Sequence, residues 1–247
     1  MTAKPRLAAT VILLRSATAR GFEVFLTRRA EGMAFLGGMY CFPGGTLRQE
    51  DYSEAMARRC VGLTPDEAQK ITGAEVAPRV ALGLWIAALR ELFEEAGILL
   101  ALDGSGLRMA AAADLRTRLA AKHSRLLSST LTFAALLESE ELFCDLSALA
   151  HFSHWQTPEQ VAIRFDTHFF LAALPADQTP LATTSEVVHS LWLTPDAALQ
   201  MSRKNQLPMI FPTFASLRTL ADFDSLESVW KEYRREKPPL PRFSQEG

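Results

Sequence analysis

Residues 90–98 constrain the fold and the function of this chain more than any other stretch. They read Arg-Glu-Leu-Phe-Glu-Glu-Ala-Gly-Ile and follow the apolar residues 85–89 without an intervening Pro or Gly, so we predict one helix across both segments. Gly97 is a natural end for that helix, because glycine enters the left-handed conformation without a side-chain clash.

Three glutamates of this predicted helix share one face. At 100° per residue, Glu91, Glu94 and Glu95 fall within a sector of roughly 100°. The pattern is unfavourable in an ordinary helix, since Glu91 and Glu95 repel each other and the helix dipole disfavours anions in the last turn. Hard divalent cations bind several converging carboxylates. The residues alone leave two readings open: a metal site, or a solvated acidic face with an Arg90–Glu94 ion pair.

The same nine residues resemble the second half of the Nudix box, the sequence signature of Nudix hydrolases. That pattern reads Arg-Glu-U-x-Glu-Glu-x-Gly-U, where U is aliphatic, and all seven defined positions match from Arg90 to Ile98. The box normally opens at a glycine 14 positions before the arginine, but Val76 stands there. Phe42-Pro43-Gly44-Gly45, the usual entry to the box, stands 45 positions before Arg90 instead.

The spacing therefore indicates that about 31 residues are inserted inside the box. The first glutamate of the family pattern would align near Asp51, whose side chain is one carbon shorter. Pro at residue 65, after Thr64, predicts a helix start within the insertion, so we expect a small helical flap there. That flap either shapes specificity or is tolerated surface.

The resemblance implies an α/β fold: a Nudix α/β/α sandwich with a mixed sheet, elaborated by helical insertions and C-terminal helices. We predict a single domain over residues 1–247, with an insertion at about 46–79, a helical insertion at about 107–145 and C-terminal helices at about 211–236. Local patterns predict strands at 7–14, 22–27, 39–42, 98–101, 161–174 and 184–193, and helices at 52–61, from 65, 107–123, 126–141, 211–223 and 225–236.

A second motif is similar to the one that precedes the box in coenzyme A diphosphatases. That pattern is Leu-Thr-x-Arg-Ser/Ala-x3-Arg-x3-Gly-x3-Phe-Pro-Gly-Gly, and residues 26–45 keep its spacing throughout. The one departure is Ala34, where the pattern has Arg. Residues 164–170, Arg-Phe-Asp-Thr-His-Phe-Phe, together with the interrupted box, resemble the branch of this family that carries a long insertion.

The resemblance also implies site residues. Glu91, Glu94 and Glu95 would bind Mg²⁺ or Mn²⁺, and Arg90 would orient a carboxylate. Glu186 is our candidate general base, because many family members carry a glutamate ahead of the late strand; a capping or surface glutamate is the alternative. The substrate-binding residues would be Arg28, Arg29, Gly44 and Gly45.

The expected reaction is hydrolysis of the diphosphate in a nucleoside diphosphate derivative. Coenzyme A or acyl-coenzyme A would give 3′,5′-ADP and 4′-phosphopantetheine, acylated or not. One alternative is an ADP-ribose or dinucleotide pyrophosphatase, which the Ala34 departure favours. Another is a Nudix-fold ligand-binding protein without catalysis, although all three helix glutamates are present.

Composition excludes several other classes. The net charge of -2 and the pI of about 6.2 give no electrostatic case for nucleic acid or an anionic membrane. Three distant cysteines without a Cys-x-x-Cys pair indicate reduced thiols, so we expect a cytoplasmic protein without a zinc–cysteine site. The five histidines are scattered and each is expected to be structural or exposed. A nucleotide is the expected partner, and a homodimer stays open.

Overall fold

The structure is a computed structural model that describes residues 4–17, 21–33, 36–109, 113–181, 183–184 and 187–234. Its central element is a mixed sheet built around strand β1 (Arg6–Ser16). Val11, Ile12 and Leu13 of this strand are fully buried, because both faces of the sheet are covered. The aliphatic run at 7–14 thus forms the strand that it predicts.

Five long strands pair in the order β10-β2-β1-β9-β8, and two short strands join them, β3 beside β2 and β4 beside β1. Strands β1 and β9 are parallel, whereas the other pairs in this sheet are antiparallel. A smaller sheet has the order β5-β7-β6. The remaining strands are β2 (Phe22–Arg29), β3 (Tyr40–Cys41), β4 (Gly44–Thr46), β5 (Cys60–Val61), β6 (Ala101–Leu102), β7 (Phe143–Asp145), β8 (Leu149–Gln156), β9 (Phe165–Ala173) and β10 (Val187–Leu193).

Local sequence signals explain where the helices begin and end. Thr64 accepts a hydrogen bond from the Glu67 amide in a capping box, and Gly73 ends the same helix in the left-handed conformation. The helices are α1 (Glu54–Ala57), α2 (Pro65–Thr72), α3 (Pro78–Ala96), α4 (Ala113–Leu127), α5 (Phe133–Ser139), α6 (Pro195–Arg203), α7 (Phe211–Leu220) and α8 (Leu226–Tyr233).

Two apolar cores lie on opposite faces of the main sheet. One packs α3 against Val11, Leu13 and Phe170 and also includes residues of α2, α4 and α5. The other packs α6, α7 and α8 against Ile12 and Leu14. Helices therefore cover both faces, which confirms the predicted α/β/α sandwich.

Several predicted elements are wrong in detail. Residues 52–61, predicted as one helix, instead contain the end of a 3₁₀ turn (Gln49–Tyr52), the single turn of α1 and the strand β5. The predicted helix at 126–141 breaks into the end of α4 and the whole of α5, because Ser129 takes a positive φ of 56°. The predicted strand at 98–101 is reduced to β6.

No helix within the described ranges is long and apolar enough to span a bilayer.

Candidate functional site

Helix α3 positions the glutamates that the sequence singles out. It runs from Pro78 to Ala96, and Gly97 ends it with a φ of 68°, as predicted. Its last two turns pack against β4, and 94% of the surface of each of Glu91, Glu94 and Glu95 is buried. The acidic face is therefore not a solvated surface, and its charge has to be balanced inside the protein.

Arg90 is the largest fully buried side chain and lies at the centre of the carboxylates. Its Nε and Nη2 donate to Asp51 Oδ1 and Oδ2 at 2.7 and 2.9 Å. Its Nη1 donates to Glu91 Oε1 at 2.6 Å and to Glu94 Oε2 at 3.3 Å. The carbonyl of Thr46 accepts a further bond from Nη2 at 3.1 Å. One guanidinium thus fixes three carboxylates in one arrangement.

Asp51 enters this group from inside the insertion. It is 1% exposed, and its Oδ2 also accepts a hydrogen bond from the Arg48 amide at 2.8 Å. Asp51 thus forms a bidentate pair with the first residue of the motif at 90–98, and its alignment with the first glutamate of the family pattern stays a prediction.

A second arginine, Arg48, faces Glu94 from the loop after β4. Its Nη1 and Nη2 donate to Glu94 Oε1 and Oε2 at 2.7 and 2.8 Å, and its Nη2 lies 3.8 Å from Glu91 Oε1. The Arg48 side chain is 44% exposed, so it lies between the buried carboxylates and solvent. Sequence analysis missed this residue, since no local pattern shows that position 48 meets position 94.

The glycine pair brings β4 against the helix. The Gly44 amide donates to Glu95 Oε2 at 3.2 Å. A side chain at position 45 would place its Cβ about 2.5 Å from Glu91 Oε1, so only glycine leaves room for that carboxylate. Both glycines contact carboxylates in this structure, and their contact with substrate stays a prediction.

The two candidate substrate arginines lie differently. Arg29 is largely buried, and its Nη1 is 3.5 Å from Glu95 Oε1. Arg28, one position earlier on β2 and so on the opposite side of the strand, donates to the Gly38 carbonyl at 3.2 Å and to Glu31 Oε1 at 2.8 Å. The structure therefore brings Arg29, and not Arg28, to the glutamates. Glu186 and Ala34 lie outside the described residues.

Burial and neighbouring charges shift the ionisation of this group. Burial raises the pKa of Glu91, Glu94 raises it further, and the positive charge of Arg90 opposes both. Burial disfavours the charge on Arg90, but the hydrogen bonds that it donates to Asp51 and the negative charges of the nearby carboxylates outweigh that cost and raise its pKa. The Glu91 carboxyl is thus harder to ionise than a glutamate exposed to solvent.

The donor set suits a hard divalent cation. Glu91, Glu94 and Glu95 are buried at the end of one helix and offer carboxylate oxygens only, which are the ligands that Mg²⁺ and Mn²⁺ prefer. Burial raises the pKa of the Glu91 carboxyl, and a bound cation would favour its ionised form. The residues present therefore fit the metal that the box resemblance implies.

Comparison with known proteins agrees with this architecture. Residues 5–220 match the family described as the NUDT19 Nudix domain. The chain is 27% identical over 248 residues to the acyl-coenzyme A diphosphatase NUDT19 of Homo sapiens, covering 88% of this chain and 65% of that protein. It is 25% identical over 244 residues to the protein of the same name from Xenopus laevis, covering 85% and 62%. The chain thus spans less than two thirds of the length of these two relatives.

A solved structure is also similar over almost the whole chain. The crystal structure of a NUDIX hydrolase from Alicyclobacillus acidocaldarius superposes with a TM-score of 0.73 at 30% sequence identity, covering 94% of this chain and 97% of that one. The similarity extends over the insertion as well as the sandwich.

Proposed function

Since this chain belongs to the Nudix hydrolases, in the family of the NUDT19 Nudix domain, we propose that it is a metal-dependent diphosphatase that acts on coenzyme A or acyl-coenzyme A. The observation that carries the proposal is the buried cluster of Glu91, Glu94 and Glu95, in which Arg90 holds Glu91 and Glu94 and the Gly44 amide holds Glu95. The products would be 3′,5′-ADP and 4′-phosphopantetheine, with or without the acyl group. The names of the human and Xenopus relatives support the coenzyme A substrate.

Glu91, Glu94 and Glu95 would hold the Mg²⁺ or Mn²⁺. When bound, such an ion supplies charge neutralisation for the diphosphate and makes the attacking water more acidic. The contribution of the protein is to keep three carboxylates at a fixed separation before substrate arrives, so that little reorganisation is needed during the reaction.

Arg90 is a positioning residue in this proposal. It is 0% exposed and its donors are used by Asp51, Glu91, Glu94 and the Thr46 carbonyl, so it has no route to the substrate. Its role is to fix the orientation of the carboxylates and to balance part of their charge.

Arg48 and Arg29 are the cations that we assign to the diphosphate. Each lies beside a glutamate of the cluster, and a guanidinium fits phosphate oxygens through two parallel hydrogen bonds. Arg48 is the more exposed of the two, so it can move from Glu94 to the substrate when the cluster takes up a cation. Arg28 stays a weaker candidate, because Glu31 and Gly38 already engage it.

Glu186 remains the candidate general base that accepts a proton from the attacking water. Gly44 and Gly45 remain candidate substrate contacts through their backbone. The same proposal includes a nucleotide as the partner and no nucleic acid. It also includes a cytoplasmic setting with reduced thiols, and the oligomeric state stays open. The three cysteines are free in the structure, which supports the reduced setting.

Mass-spectrometric product analysis tests the proposal. The chain is incubated with Mg²⁺ and a mixture of coenzyme A, acetyl-coenzyme A, ADP-ribose and NADH. Appearance of 3′,5′-ADP is the expected result. Release of AMP from ADP-ribose or NADH alone would keep the metal site and replace the substrate, an outcome that the loss of arginine at position 34 favours. No product with Mg²⁺, or with Mn²⁺ in its place, would point to a binding protein.

A further inference from the structure

A second group of metal-binding side chains lies on strands β8 and β9. Donor atoms of His154, Asp166 and His168 all lie within 4.8 Å of one another. The sheet register brings them together: His154 is directly opposite His168, and Asp166 lies two residues before His168 on the same face of β9. His154 lies 14 positions before His168 in the sequence, so no short motif predicts the group. The pairing of β8 with β9 brings the residues together.

We propose that His154, Asp166 and His168 form a binding site for a divalent transition-metal ion of the Zn²⁺ type, separate from the glutamate cluster. Two imidazoles and one carboxylate are ligands that Zn²⁺ accepts, and the fourth position would be filled by water or a ligand. The glutamate cluster offers only oxygen ligands, so the two sites differ in the metals that they prefer.

The burial of the three ligands is suited to such a site. His168 is 1% exposed and therefore fixed, whereas the side chain of His154 is 44% exposed and that of Asp166 is 23% exposed. Tetrahedral coordination at about 2.1 Å requires donors about 3.4 Å apart. His154 Nε2 and Asp166 Oδ1 are in direct hydrogen-bond contact and must move apart, whereas the other donor pairs lie within 4.8 Å and must approach one another. The His154 ring also stacks on the His168 ring, with centroids 4.4 Å apart and an angle of 12° between the planes, so His154 has to rotate before both rings can face one ion. Its side chain is 44% exposed, which leaves room for that rotation without displacing the strand.

A fourth residue orients His168. His151 Nε2 lies 3.2 Å from His168 Nδ1, which leaves His168 Nε2 as the nitrogen available to a metal. A hydrogen bond to the second nitrogen of a ligating histidine fixes its ring and its tautomer, as in many metal sites. Burial lowers the pKa of His168 to about 4, with His154 and His151 adding to the effect and Asp166 opposing it, so the ring is neutral at pH 7.

The site lies beside the acidic cluster on the same face of the sheet. His168 pairs with Ala9 of β1, and Ala9 pairs on its other side with Gly45, which underlies Glu91. Two strand spacings, or about 10 Å, therefore separate the backbones of His168 and Gly45. A metal at this position would join β8, which lies at the end of the sheet order, to β9.

Zinc stoichiometry of the full, tag-free chain tests the proposal. Equilibrium dialysis against Zn²⁺ is carried out in millimolar Mg²⁺, which occupies the glutamate cluster, and bound zinc is measured by mass spectrometry. We expect one zinc per chain in the wild type and in Glu94→Gln, and loss of that zinc in His154→Gln and in His168→Gln. His189→Gln, which removes a histidine outside the group, is the matched control and should retain zinc.

Two further results decide the outcome. His151→Phe should weaken zinc affinity about 10–100-fold, as loss of a supporting hydrogen bond does at other sites. Unfolding curves verify that each variant is folded, and the exposed position of His154 makes its replacement the safest. The proposal is overturned if His154→Gln binds as much zinc as the wild type, if the zinc is lost in Glu94→Gln instead, or if the wild type binds none.

Discussion

Arg48 and Glu94 are joined by two parallel hydrogen bonds of 2.7 and 2.8 Å, so both carboxylate oxygens of Glu94 are engaged by a cation of the protein. Arg90 adds a third contact to the same carboxylate at 3.3 Å. A metal ion at Glu94 therefore has to compete with Arg48. Arg48 should therefore weaken the binding of the metal while it contributes to the rate of the reaction.

Replacement of Arg48 should affect those two properties in opposite directions. In Arg48→Gln, we expect half-maximal activity at a lower Mg²⁺ concentration, because the competing cation is gone, and a lower kcat, because a contact to the diphosphate is lost. Metal titrations of activity measure both. Arg58→Gln, which removes an exposed arginine paired with Glu54, is the control. An unchanged Mg²⁺ requirement in Arg48→Gln would show that the pair does not compete with metal.

Glu94→Gln and Glu95→Gln should each lower kcat by about 10²-fold or more while the fold is kept. Loss of one metal-binding carboxylate removes several kcal/mol of transition-state stabilisation, and glutamine has nearly the same shape. Steady-state kinetics and circular dichroism measure the two effects. Glu54→Gln, on the exposed surface of α1, should retain full activity. Turnover at the wild-type level in either variant contradicts the assignment of the site.

Glu91→Gln should make the metal-free protein more stable at neutral pH. Because the folded protein raises the pKa of Glu91, the folded state binds the proton more tightly than the unfolded state does. The stability contributed by this group is thus lost as pH rises through the folded pKa, and glutamine avoids that loss. Thermal unfolding in EDTA should give a higher Tm for the variant, and added Mg²⁺ should raise its Tm less than it raises that of the wild type. A lower Tm in EDTA would mean that the Arg90 pair outweighs the burial of Glu91.

Asp51→Ala should destabilise the protein by about 3 kcal/mol. Removal of one partner of a buried ion pair leaves the other partner uncompensated, and the typical cost is about 3–5 kcal/mol. We expect the lower figure, since Glu91 and Glu94 still contact Arg90. Urea unfolding measures the change. Asp114→Ala removes an ion pair with Arg118 on the surface and should change stability little. An equal effect in both variants would contradict the structural role of Asp51.

The histidine group should make the metal-free protein acid-sensitive in a defined window. Burial lowers the pKa of both His151 and His168 from 6.5 to about 4, and the charge of His154 adds to each shift. The unfolded chain therefore binds more protons between those values, and stability falls as pH falls from about 6.5 to about 4. Urea unfolding across this range should show a smaller slope for His168→Gln than for the wild type. Equal slopes would contradict the shifts.

The features that could be predicted from the sequence are those encoded within one short segment of the chain. The spacing of Arg90 and the three glutamates identifies the family, which the comparisons confirm, and Gly97 marks the end of the helix. These features depend on contacts within one turn of helix. The family resemblance also predicted the sandwich. The apolar patterns of β1 and β2 predicted two of its strands independently.

Features that depend on distant contacts could not be read in the same way. Arg48 meets Glu94 across 46 positions, and β5 and β7 are two and three residues long, so their pairing partners alone define them. The histidine group likewise exists only because β8 and β9 pair in one register. Sequence patterns report on a residue and its near neighbours in the chain, whereas these features depend on tertiary contacts between distant residues.

The insertion reaches the acidic site through residues near its start, Arg48 and Asp51, and continues for many residues beyond them. Asp51 closes onto Arg90 over 39 positions, and Gly44 closes onto Glu95 over 51. The entropy of loop closure grows only with the logarithm of length, so extension from the family spacing of 14 residues to 45 costs on the order of 1 kcal/mol. For an engineer, this means that the length of the segment after Asp51 matters little, whereas its contacts matter. Because α2 packs against α3 and β5 pairs with β7, any exchange of this segment between relatives has to keep those contacts as well as the Asp51–Arg90 pair.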